Sequence, residues 1–145
     1  MSDRVHPRSA HTALGVLLAV ALVVVAGLTL TPEGTGWAWG SPTTELRWYA
    51  TGLDSSATLL QLLGNLGLLV VPAALGTLLW PSLGHPARLT GAAIAAGAGI
   101  ESLQWALSLG RVVSPLDATL NAGGAVVAGL LVASVDRLAR AVTST

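Results

Sequence analysis

Four stretches of this chain, 12–30, 57–80, 89–109 and 116–135, each contain at most one ionisable residue. A helix needs about 20 residues to cross a hydrocarbon core of roughly 30 Å, and every stretch is about that long. Charged residues make up only 10% of the 145, and the mean hydropathy is +0.70, which leaves too little ionisable surface to cover a water-soluble globule. The expected architecture is an all-α, four-helix transmembrane bundle, a single membrane domain over 1–145 that crosses the plasma membrane several times. The formal net charge is zero, so no basic field exists to hold nucleic acid. The same counts exclude a soluble enzyme and a disordered chain. There is no Cys, and His6, His11 and His85 lie apart and outside the apolar stretches. Neither a metal site nor a cofactor is expected.

The arginines orient the bundle. Arg4, Arg8, Arg88, Arg137 and Arg140 fall on one side of a four-span path, and Arg47 and Arg111 on the other. The excess marks the cytoplasmic side and places both termini there. The run from Ala13 to Leu30 is longer than the core of a secretory signal, and no small-x-small cleavage site precedes Pro32. It reads as a retained first helix. The outer loop 31–56 holds Trp37, Trp39, Trp48 and Tyr49, four of the six aromatic residues. Within it, Ser41-Pro42 is a helix start with proline at the first position, which predicts a short helix at the membrane surface over about 42–50. The aromatics read as a belt at headgroup level, with an aromatic lid over an outward-facing site as the alternative.

Polar residues collect at one depth. Asn65 is eight residues into the second stretch and Glu101 eight residues before the end of the third, each roughly 12 Å below the outer end. Asn121 is five residues into the fourth stretch, which Asp117 opens. Gln61, Asn65, Leu68 and Pro72 share one helical stripe; Glu101, Gln104 and Ser108 form a second; Asp117, Asn121 and Gly124 form a third. Polar groups facing lipid are costly, so the three stripes should point at one another. Ala92, Ala96, Gly97 and Gly99 in the third stretch and Gly123, Gly124, Ala128 and Gly129 in the fourth should let backbones approach closely.

Individual residues carry competing readings. Glu101 is either a packing clamp to Arg111 or Asn121, or an acid/base or headgroup-binding carboxylate. Asp117 follows Ser114-Pro115-Leu116 in a capping-box pattern, so it either closes the start of the fourth helix or belongs to the site. Arg111, in a tight loop over 110–115, is a clamp partner or a phosphate anchor. Pro72 should kink the second span, and the charges at 136–140 look like a cytoplasmic stop.

Thr29-Leu30-Thr31-Pro32, Asn65 followed by Pro72, Ile100-Glu101-Ser102-Leu103-Gln104, and Arg111 with Asp117, Asn121 and Gly124 together resemble the VanZ-like family, over about 12–135 and in family order. The most specific part is I-E-x-x-Q followed by R-x5-D-x3-N-x2-G. In the second span the family's Phe before the proline is absent, since this chain has no Phe. The resemblance implies a bacterial cell-envelope protein, related to resistance against the glycopeptide teicoplanin, in which Glu101, Gln104, Arg111, Asp117 and Asn121 are shared polar positions.

Two functional classes follow. One is a binding protein that takes an amphiphile from the outer leaflet, whether a membrane lipid, a lipid-linked envelope precursor or a lipoglycopeptide, through Glu101, Gln104, Arg111, Asp117, Asn121 and Asn65. The other is an intramembrane enzyme acting on a lipid or lipid-linked substrate, with Glu101 or Asp117 as acid/base. A structural or partner-binding role is the remaining alternative.

Overall fold

The computed structural model describes residues 7–143, with Pro7 and Arg8 as backbone only. Arg4 and His6 lie outside the described residues. In chain order the elements are α1 (Pro7–Leu30), β1 (Gly36–Trp39), α2 (Pro42–Thr51), α3 (Ser56–Leu68), α4 (Val70–Leu79), a 3-10 turn (Pro81–Gly84), α5 (Pro86–Ala106), β2 (Leu109–Val113) and α6 (Pro115–Thr143).

The protein is mostly helical. Among the described residues, three segments are long and apolar enough to cross a membrane: Ser9–Leu30 in α1, Ser56–Leu79 across α3 and α4, and Pro115–Thr143 in α6. At 21 residues α5 matches them in length. It is less apolar, because alanine and glycine replace leucine and valine and because it carries Glu101 and Gln104. Helix α6 is central and packs against α3, α4 and α5, whereas α1 packs mainly on α4. The outward side of α1 exposes Val16, Leu17, Val20, Val23, Val24 and Leu28. Such a surface belongs in lipid.

Proline punctuates the second hydrophobic segment. Pro72 has no N–H for the Leu68 carbonyl and its ring presses on that group. The helix breaks at Leu69 (φ −100°, ψ 4°) and resumes with Ala73 N–H donating to the Leu69 carbonyl at 2.9 Å. Small residues seat α6 against its neighbours. A Cβ added at Gly124 would overlap the Leu66 carbonyl of α3, and one added at Gly97 would collide with the Ala118 carbonyl of α6. Gly99 and Gly123, expected to serve likewise, face open space.

Several boundaries differ from the sequence expectation. The loops over 31–56 and 110–115 contribute β1 and β2, which pair in parallel with Trp37 opposite Arg111 and Trp39 opposite Val113. Runs this short show no periodicity, and their partners lie some seventy residues apart in the chain. The pair is closed further by Glu33 N–H to the Leu109 carbonyl (2.8 Å) and Gly40 N–H to the Val113 carbonyl (2.9 Å). Gly110, at φ +74°, passes so close to the Gly34 backbone that no side chain fits between them. Helix α5 stops three residues before the expected 109, where Ser108 takes a left-handed conformation (φ +49°). Helix α6 runs on through the charges at 136–140, where Arg140 Nη2 pairs with Asp136 Oδ2 at 2.5 Å one turn back and supports the helix.

Replacing Gly124 with Ala should cost about 2 kcal/mol or more, since α6 must move off α3. Gly123→Ala should be neutral or stabilising by up to about 1 kcal/mol from helix propensity alone. Thermal unfolding of both variants in detergent checks the contrast.

Candidate functional site

The six residues selected above, Asn65, Glu101, Gln104, Arg111, Asp117 and Asn121, all line one cavity of about 470 Å³ at the end of the bundle that carries the strands. Thr29, Glu33 and Gln61 extend its polar wall, and Leu28, Gly64, Leu68 and Ile100 form the apolar side. Four elements deliver the polar groups: α3 brings Asn65, α5 brings Glu101 and Gln104, β2 brings Arg111, and α6 brings Asp117 and Asn121.

Behind the cavity wall is Ser114, fully buried just before α6. Its backbone N–H donates to Glu101 Oε2 at 2.7 Å. Its hydroxyl donates to Glu45 Oε2 at 2.6 Å and accepts the Asp117 N–H at 3.1 Å. The capping box is therefore half made. Ser114 caps the helix, but Asp117 does not return the bond, because Glu101 already holds the Ser114 amide. The Asp117 carboxylate instead accepts the Tyr49 hydroxyl at 3.3 Å.

The expected clamp from Glu101 to Arg111 or Asn121 is not formed. Arg111 pairs with Glu33 through Nη2 at 2.8 Å and donates Nε–H to the Thr31 carbonyl at 3.1 Å. The strand pairing explains this, since β2 carries Arg111 alongside the segment that follows α1. Gln104 donates to the Thr29 carbonyl at 3.0 Å and ties α5 to the end of α1. Asn121 is 1% exposed. Its Oδ1, like Asn65 Nδ2, is buried with no hydrogen-bond partner. Such groups cost free energy unless something satisfies them.

Glu33, Glu45, Tyr49 and Ser114 are parts of this network that sequence reasoning did not select. Ser114 sat in the capping pattern. The others are loop or short-helix residues whose partners lie far along the chain, and no spacing rule links them. The outer-loop aromatics divide: Trp37, Trp39 and Trp48 are exposed, as a belt requires, whereas Tyr49 is buried against the site. On the far side of Glu101, Trp39 and Trp105 flank an apolar recess of about 460 Å³. Glu101 is thus the wall between a polar and an apolar compartment.

Among the described residues, no group of three His, Cys, Asp or Glu side chains is arranged to hold a metal ion. The cavity offers carboxylates, amides and one guanidinium that is already paired. That donor and acceptor set suits a head rich in hydroxyls or amides better than a bare phosphate. Compared with family models, with curated proteins and with solved structures, the chain matches none of them.

Burial, and then the neighbouring Asp117 charge, push the Tyr49 phenol up to about 12. The folded state therefore holds its proton where the unfolded chain, at about 10, has lost it. The stabilisation is complete below pH 10 and is lost as pH rises from 10 to 12. Tyr49 is the single tyrosine of the chain, so alkaline ultraviolet titration reads it directly. Asp117→Asn should move the midpoint down toward 10.

Proposed function

We propose that this is a VanZ-like envelope protein that binds an amphiphile in the outer leaflet of the plasma membrane, with the polar head of the ligand in the cavity around Asn121. In this reading α5 is a fourth span and both termini are cytoplasmic. Arg88, Arg137 and Arg140 gather around one cleft at the far end of the bundle, consistent with a cytoplasmic face there. The cavity then opens toward the exterior.

The observation that carries the reading is Asn121 Oδ1, an acceptor buried without a partner on the wall of the polar cavity. In a low-dielectric site it provides for a ligand that supplies a donor, as a hydroxyl or amide does. Acidic side chains outnumber Arg111, and Glu33 already occupies it; this favours a sugar-like or peptide-like head, the chemistry shared by lipid-linked envelope precursors and lipoglycopeptides. Binding is favoured over catalysis because Ser114, the hydroxyl set among the carboxylates, is fully buried with its proton committed to Glu45. It is not available as a nucleophile.

The test is Asn121→Leu. Replacing a buried amide whose Oδ1 has no partner by an apolar group of similar size should leave the melting temperature close to unchanged. Affinity for a fluorescent alkyl glycoside in phosphatidylcholine nanodiscs should fall about tenfold, as expected for one lost hydrogen bond. In cells, Glu101→Ala and Arg111→Ala should reduce teicoplanin tolerance at unchanged protein level. Undiminished binding by the Leu variant, with tolerance persisting in both alanine variants, would overturn the reading.

A further inference from the structure

A second cavity, apolar and about 650 Å³, runs between α1 and the α3–α4 pair. Its walls include Leu17, Val20 and Val24 on one side and Leu63, Val71 and Leu75 on the other. It shares Leu28, Gly64 and Leu68 with the polar cavity, so the two adjoin. From Leu17 to Leu28 is eleven residues, which at the helical rise spans about 16 Å. That is half of the roughly 30 Å hydrocarbon core, the depth of one leaflet.

We infer that this groove holds one acyl chain of the amphiphile whose head enters the polar cavity, and that the ligand arrives sideways from the bilayer between α1 and α3. The inference rests on the proposed reading of the polar cavity as a head site. Three features of the groove fit a hydrocarbon chain. Its lining is apolar apart from backbone, its length is that of a single leaflet, and one end adjoins the cavity that holds the hydrogen-bonding groups a head requires. The floor is shaped for it as well. Gly64 and Gly67 lie along α3 with open space where their side chains would be, and α1 packs on α4 rather than closing over α3. Lipid tails are as apolar as leucine, so the groove acts by shape and position, and the discrimination comes from the head.

A Cβ added at Gly67 meets no protein atom within 4 Å, so Gly67→Leu directs its side chain into the groove, and Gly67 does not line the polar cavity. The experiment uses the full chain in phosphatidylcholine nanodiscs with two photoreactive alkyl glycosides, one carrying its diazirine on the sugar and one midway along the chain. The chain probe should label Leu17, Val20, Val24, Leu63 and Val71 and be displaced by excess unlabelled glycoside. In Gly67→Leu that labelling should fall at least about tenfold, while circular dichroism and melting temperature are maintained. Chain labelling spread evenly over lipid-facing residues such as Val127 and Leu131, indifferent to Gly67→Leu, would overturn the groove even if the sugar probe still labels the polar cavity. A sugar probe that never labels the cavity would overturn the head site and the groove together.

Discussion

A helix that begins inside a protein, out of reach of water, must find partners for its first amides, and at the start of α6 that demand organises everything around it. Glu101 takes the Ser114 N–H, and Ser114 takes the Asp117 N–H in turn. Glu101 is thereby committed, and Arg111, carried by β2 alongside the segment after α1, pairs with Glu33 and Thr31 instead. With its capping role given up, Asp117 is free to accept from Tyr49, which anchors α2 over the bundle. One buried donor thus propagates into four loop and helix contacts. The bond from the Ser114 amide to Glu101 is buried, in a low-dielectric setting where a partner is expensive to lose.

Much of the helical framework was legible because its signals are strong and local. Uninterrupted apolar runs, Pro72 and the Ser41-Pro42 start each act within a few residues, and the helices, the break at Leu69 and the α2 helix follow from them. The cavity was legible for a related reason. Spacing of three, four and seven residues put Glu101 with Gln104, and Asp117 with Asn121, on single faces, and the cost of polar groups in lipid turned those faces toward each other.

What was not legible is what depends on distance along the chain. The pairing of Trp37 with Arg111 has no local signature, and once it forms it removes Arg111 from the reach of Glu101. Glu45 and Tyr49 join the site from a surface helix whose own pattern is that of an anchor. Gly99 and Gly123 show the limit of composition: small residues permit close approach, but the rotation of the helix decides which of them are used.

The parallel strands also set an order of assembly. Residues 36–39 meet no partner until 109–113 have emerged, so the helices between them must be made before that ladder can close. Closing so long a loop is entropically unfavourable and comes late in folding. The cap at this end of the molecule is therefore a checkpoint on biogenesis: the cavity beneath it is completed only when every helix that furnishes it has already formed.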